Sequence, residues 1–458
     1  MGDRIVIVGG GVTGLTTAYR LLQHGGSSQV SVLEAATTTG GKLRSAEVGG
    51  LRLPAGPDSF LARKPWAVEL CRELGIGDEL IAPRASGAYL WTPSGLVPYP
   101  TGTAFGIPGD LGDVFRWPGL SRRGRRRAFG DLLKPKRRGG GDESLGALLR
   151  RRLGDEATER AIAPLLAGLY AGDADQLSVR ATFPELAAWE AGQGSLLRGA
   201  QAASRNGRRG VGGPMFLRPP GGVERLTNLL ADRLGEHVRT GVRATAVEGS
   251  EAGWRVRTDT GVVEAGAVVL TVDAGAIAGL LPRSSSAVAE LAGIPSVSTA
   301  AVLLVYPEGT GPGLPDGSGF VVPRGAAPMT ACTWLSSKWP DPAYGSRAVV
   351  RCFVGASGEE DVLDADDQEL IDACARHLTA LLPLPDVPAA AAVVRWPSAM
   401  PQYLVGHLER VERIRASLPP GIFVTGQSLD GVGIADCVRA AGETAETVAA
   451  YVDKEVHT

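Results

Sequence analysis

The spacing of apolar residues along the chain changes from the ends to the middle. Arg4–Val8 is a β-branched apolar run, which predicts a buried parallel strand. Residues 13–24 place Leu15, Ala18, Leu21 and Leu22 on one helical face. Residues 30–33 form a second strand, so the chain opens with a βαβ unit. The spacing predicts helices over 66–74, 146–153, 156–169, 184–203 and 368–382. Residues 221–234 repeat the strand-then-helix theme. Residues 243–248, 254–258 and 262–265 read as a β-meander, followed by an apolar strand at 267–272. Residues 299–306, 319–322, 329–334 and 348–355 alternate as an antiparallel sheet does. A last parallel-type strand at 421–426 leads into a last helix at 433–452. The two ends therefore belong to one unit that the middle interrupts.

Composition narrows the class. A net charge of −2 excludes a strong global attraction to nucleic acid. The exception is local: residues 116–138 hold ten basic residues and one acid, Asp131. A mobile basic loop or helix hairpin is expected there. A solvated surface is its first reading, an anionic membrane contact the second. Nucleic acid ranks last, since only Trp117 and Phe129 interleave the arginines. The cysteines, at 71, 332, 352, 374 and 437, are odd in number and lack a CxxC pair. That argues for a reducing compartment and against a disulfide framework or zinc site. The histidines form no HxxxH pair, so no metal is expected. Neither a secretory leader nor an apolar run of about 18 residues is evident. The expected location is cytoplasmic, at most peripheral on the inner face of the membrane.

Candidate chemistry begins at Gly9-x-Gly11-x-x-Gly14, between the first strand and first helix. Gly9 permits a tight turn, Gly11 lets backbone approach a pyrophosphate, and Gly14 allows close helix packing. The helix N-terminus offers N–H groups to phosphate. Glu34 closes the second strand, where an acid accepts from a ribose hydroxyl and favours FAD or NAD over NADP. Gly40 and Gly41, in Thr39-Gly40-Gly41-Lys42-Leu43-Arg44-Ser45, favour FAD, because a glycine pair keeps backbone near its phosphates and ribityl chain. A second glycine-rich turn, Gly431-Val432-Gly433-Ile434, suits a flavin's ribityl chain and pyrimidine edge; its plainer reading is a helix start.

With Gly56-Pro57-Asp58-Ser59-Phe60-Leu61-Ala62-Arg63-Lys64, Tyr170-Ala171-Gly172-Asp173, Gly221-Gly222-Val223 and Gly431–Cys437, the chain resembles the porphyrinogen oxidases, a branch of the flavin amine oxidase superfamily. The Gly40-Gly41-Lys42 form and Arg63-Lys64 look like the Gram-positive branch, which oxidises coproporphyrinogen III to coproporphyrin III. The related branch acts on protoporphyrinogen IX. The resemblance implies an α/β fold: a Rossmann-type FAD-binding domain (1–85, 215–285, 415–458), an antiparallel-sheet substrate domain (86–112, 290–414) and a helical, membrane-associating domain (113–214). It implies noncovalent FAD held by Gly9, Gly10, Gly11, Val12, Thr13, Gly14, Glu34, Ala35, Lys42, Gly56, Pro57, Asp58, Ser59, Val247, Trp396, Val432, Gly433 and Ile434. It also implies molecular oxygen as acceptor and a hand-off to a haem-pathway ferrochelatase.

Aromatising a porphyrinogen removes six electrons, two per flavin cycle, with peroxide released on reoxidation. The product's aromaticity lowers the need for an acid or base, and no catalytic triad or base is evident. Arg63 and Lys64 stand either at the site mouth as propionate partners or as a solvated basic pair. Arg44 lines the site or is an ordinary surface arginine. Tyr170 faces the flavin or sits in a core. The alternatives are a protoporphyrinogen IX oxidase, a flavin amine oxidase or desaturase, and a non-catalytic binding protein of the same fold.

Overall fold

The structure is a computed structural model describing residues 4–25, 29–85, 87–137, 139–208, 213–251 and 253–456. Arg4–Val8 pairs in parallel with Gln29–Glu34 on one side and Ala267–Leu270 on the other. Ile422–Val424 and Val238–Thr240 complete a five-stranded parallel sheet. Side chains alternate across it: Ile5 and Ile7 enter one core, Val6 and Val8 another. Both faces are covered, so Ile5, Val6, Ile7 and Val8 are all apolar rather than alternating. Helices Val12–Gln23, Pro65–Glu73, Glu224–Leu234 and Ile434–Val456 cover the first face. The meander Ala244–Ser250, Gly253–Thr258, Gly261–Ala265 and helices Ala274–Leu280 and His407–Ser417 cover the second.

A seven-stranded sheet stands beside it, in the order Ala390–Pro401, Ser296–Val305, Val349–Val354, Ala331–Trp334, Gly319–Val321, Ala88–Thr92, Gly95–Pro98. Two departures from the sequence reading occur here. The sheet is mixed, because Gly319–Val321 runs parallel to Ala88–Thr92. Its longest strand, Ala390–Pro401, lies where no strand was expected. It pairs with Ser296–Val305 through most of its length, with a register shift near Thr299. The hairpin of Ser45–Val48 and Leu51–Pro54 packs Val48, Leu51 and Leu53 against Leu303 and Val305 of this sheet.

The helical region differs most from its periodicity. Residues 156–169 are not one helix but short α, π and 3-10 pieces. Residues 184–203 divide at Gly194 into Pro184–Gln193 and Leu196–Arg208. Residues 221–234 contain a glycine turn and a helix without the expected strand.

Of the two forms expected, the centre of the basic segment is helical, as Arg122–Phe129 and a 3-10 turn at Gly130–Leu133, and it is not simply solvated. Ser121 caps the helix Arg122–Phe129 by accepting from the Gly124 N–H. Arg127 donates to the carbonyls of Arg150, Arg151 and Arg152 at 2.8–3.1 Å, satisfying the last turn of helix Leu145–Leu153. Arg152 is fully buried and paired with Asp131, which also accepts from Ser195 and the Leu197 N–H. Arg122, Arg123 and Arg126 remain exposed. Arg138 lies outside the described residues.

Candidate functional site

The first glycine turn places its residues as their steric roles require. Gly9 has φ 113°, a conformation that disfavours any side chain. A Cβ on Gly14 would overlap the Gly9 carbonyl, and one on Gly10 would meet Glu34. Gly11 differs, because a Cβ there would meet no protein atom within 4 Å. The protein itself therefore does not require glycine at 11, whereas a ligand approaching the backbone would. Gly11 N-caps helix Val12–Gln23 without any side-chain cap, and Val12 and Thr13 behind it are buried. A buried, uncapped helix N-terminus fits a phosphate.

Glu34 uses one carboxylate oxygen to accept from the Gly10 N–H (2.7 Å) and the other for the Ala36 N–H (2.8 Å). It fixes the glycine turn besides offering lone pairs outward. Ala35 beside it is exposed. The Gly40 N–H donates to Gly10 O, which brings the glycine pair onto the first turn.

Lys42 joins three remote segments. Its ammonium donates to Asp273 Oδ1 (2.9 Å), the Ala399 carbonyl (2.8 Å) and Gln427 Oε1 (2.8 Å). All three of its donors are thereby engaged. Gly56 packs against the Lys42 carbonyl so closely that a Cβ could not fit. The Trp396 indole N–H donates to Ala55 O (3.0 Å), and the Arg44 guanidinium lies 5.0 Å from the ring centroid of Trp396. Arg44 itself is exposed.

Asp58 points inward. It is buried, meets Lys338 Nζ at 3.0 and 3.1 Å and Arg351 at 3.3 Å, and accepts from the Ser59 hydroxyl at 2.8 Å. Burial alone would raise its carboxyl; the Lys338 and Arg351 charges override that and hold it well below the usual carboxylate range.

The second glycine turn is held by Tyr403, whose hydroxyl donates to Gln427 O and accepts from the Gly431 N–H (2.8 Å). Tyr403 stacks on His407 with centroids 3.9 Å apart. Val432 packs toward the helical core, Gly433 lies against Asp436, and buried Ile434 begins the last helix. Burial pushes the Cys437 thiol up to about 11, so it stays protonated there.

Among the substrate candidates, Lys64 forms an ion pair with Asp436 at 2.7 Å, while Arg63 is exposed. Tyr170 is buried, edge-on to Phe183, with its hydroxyl 3.4 Å from Thr182 O. Val247 is buried in the meander. Sequence reasoning missed Lys338, Arg351 and Tyr403. The one available signal was Arg351, a charge inside the apolar run Val349–Val354.

A glycine turn on a parallel sheet, an acid ending the neighbouring strand and a second sheet opposite define a dinucleotide-binding oxidoreductase with a separate substrate sheet. Comparison with known proteins agrees. The profile of flavin containing amine oxidoreductases matches residues 12–449. Coproporphyrinogen III oxidase of Bacillus subtilis is 34% identical over 95% of this chain and 95% of its own. That of Mycobacterium tuberculosis is 35% identical over 98% of each. A solved structure from Exiguobacterium sp. 255-15, a candidate protoporphyrinogen oxidase, has TM-score 0.86 and 33% identity, covering 97% of this chain and 98% of that one. The chain belongs to the flavin containing amine oxidoreductase family, on its porphyrinogen oxidase branch. It is an enzyme and a flavoprotein.

Proposed function

We propose that this enzyme oxidises coproporphyrinogen III to coproporphyrin III in haem synthesis, using noncovalent FAD and molecular oxygen. The observation that carries the reading is its 31–35% identity, over 95–98% of the chain, to the coproporphyrinogen III oxidases of Bacillus subtilis, Staphylococcus aureus and Mycobacterium tuberculosis.

FAD, when bound, supplies the two-electron acceptor that oxygen regenerates with release of peroxide. The chain's own residues hold and orient. Gly9 to Gly14 and the uncapped helix behind Gly11 would take the pyrophosphate, with Glu34 and Ala35 at the ribose. The Val247 strand would meet the adenine. Gly56, Pro57, Asp58, Ser59 and Trp396 would border the ring system, and Val432, Gly433 and Ile434 its pyrimidine edge. Lys42 acts by joining the segments around Ala399 and Gln427. Arg63, exposed beside this loop, is a cation suited to a propionate.

The location we assign is cytoplasmic, with a peripheral contact to the inner face of the membrane. Exposed Arg122, Arg123 and Arg126, with Leu133 89% exposed nearby in sequence, support that contact. Among the described residues no helix is long and apolar enough to cross a membrane. The proposed product is a metal-free porphyrin, which supports a hand-off to a ferrochelatase.

The test is anaerobic flavin reduction by coproporphyrinogen III and by protoporphyrinogen IX. Faster reduction by the four-propionate substrate is expected. Preference for protoporphyrinogen IX would move the enzyme to the other branch. Reduction by neither would overturn the reading.

A further inference from the structure

A buried cluster of charge lies behind the Gly56–Ser59 loop and is not balanced. Lys338 and Arg351 both converge on the single carboxylate of Asp58. Lys338 ends the helix Leu335–Lys338 and Arg351 is mid-strand, so both cations come from the seven-stranded side. Asp58 comes from the loop that follows the Ser45–Pro54 hairpin. Arg351 reaches further, donating to Pro54 O (3.0 Å) and to Gly56 O. Its Nε is buried without a partner. Arg218, also buried, is a further cation nearby; it lies over the Trp339 ring at 4.4 Å and 3.7 Å from Asp341. The Lys338 ammonium sits 5.2 Å from the centroid of that same ring.

One carboxylate neutralises the charge of only one of these two cations. Two cations, both largely desolvated, leave a surplus positive charge that costs stability. A buried donor without a partner costs more. Such local costs, kept at one loop, are characteristic of functional sites.

We propose that Lys338, Asp58 and Arg351 form a clamp that positions the Gly56–Ser59 loop and whose surplus positive charge favours the reduced flavin. This rests on the reading that residues 56–59 border the flavin. Hydride uptake brings two electrons and one proton, so the ring gains one negative charge. A fixed cation in a low-dielectric setting stabilises that state relative to the oxidised one.

The experiment is the flavin reduction potential of the holoenzyme, measured by equilibration with a reference dye. Lys338→Met removes one positive charge and should shift the equilibrium about tenfold toward oxidised flavin, about 30 mV for a two-electron couple. Asp58→Asn removes the negative charge and should shift it in the opposite direction. Lys338→Arg keeps the charge and should retain the wild-type potential. Arg351→Gln also removes a positive charge; it should shift the potential as Lys338→Met does and weaken flavin binding by the apoprotein about tenfold, since Gly56 O and Pro54 O lose their donor. It serves as well if Lys338→Met does not fold. Shifts of one sign in both charge variants, or no shift with flavin retained, would overturn the proposal. Failure of the underlying reading is separately visible. A fluorophore attached to Pro57→Cys should be quenched when flavin is restored to the apoprotein; unchanged emission would remove the loop from the flavin's border.

Discussion

The ammonium of Lys64 lies 2.7 Å from both carboxylate oxygens of Asp436, a residue 372 positions further along the chain. Asp436 in turn packs against Gly431 and Gly433 of the second glycine turn. The cation that the sequence offers as a propionate partner is thus already tied to the helix that follows the second glycine turn. Lys64→Ala should therefore lower kcat/KM for coproporphyrinogen III and also loosen flavin, because it leaves a half-buried carboxylate unpaired. Lys64→Ala combined with Asp436→Asn should recover both the flavin content and the turnover. Flavin absorbance and kcat/KM for both porphyrinogens measure the two effects. A turnover loss with normal flavin would mean that Lys64 meets substrate without supporting the turn.

Gly14 and Gly11 of the first turn should separate cofactor binding from folding. Gly14→Ala forces a methyl into the Gly9 carbonyl and should destabilise even the apoprotein by about 3 kcal/mol. Gly11→Ala adds a Cβ that meets no protein atom within 4 Å, and it should leave the apoprotein's melting temperature nearly unchanged while lowering flavin content. Equal thermal losses in both apoproteins would remove the argument that Gly11 serves a ligand.

Tyr403→Phe deletes the hydroxyl that serves both Gln427 O and the Gly431 N–H. Leaving those backbone groups without a partner should cost about 1–3 kcal/mol. Flavin should dissociate faster from the variant. Flavin release followed by fluorescence, beside chemical unfolding, checks the pair of effects.

Stoichiometry tests the reaction itself. Six electrons removed two at a time require three molecules of peroxide per porphyrin formed. With catalase absent and conversion complete, a ratio near one would contradict repeated flavin cycles.

Burial holds His407 down to about 4, below its ordinary value near 6.5. The unfolded chain therefore takes up a proton in that window that the native protein does not. Stability should be fully present above about pH 6.5 and fall as pH drops toward about 4, by up to about 3 kcal/mol from this group. His407→Phe keeps a ring stacked on Tyr403 and should flatten the decline. Urea midpoints at pH 5 and pH 7 measure it, and an unchanged slope in the variant would assign the decline to other groups.

Legibility in the sequence followed the range of the forces involved. Arg4–Val8, the Gly9 to Gly14 turn and Glu34 are specified by neighbours a few residues away, and each lies where its pattern placed it. Ala390–Pro401 is the contrary case. Its alanines, Pro397 and the left-handed Ser398 (φ 46°) give no clear alternation. It is a strand because Ser296–Val305 supplies the pairing, a contact the local sequence does not encode. The basic stretch 116–138 likewise looked solvated, since composition does not reveal that Arg127 and Arg152 are directed at helix carbonyls and a buried acid.

The sequence by itself determined the parallel sheet, the first glycine turn, the acid at its edge and the family to which they belong. These rest on backbone sterics and short-range hydrogen bonds, which leave a spacing that can be read directly. Only the tertiary structure decided which charges meet: Lys64 with Asp436, Lys42 with Asp273, and Lys338 and Arg351 with Asp58. A charge seeks its partner through space, and folding sets which distant segments come within a few ångströms. The physics of the site is therefore fixed by chain crossings that no local pattern records.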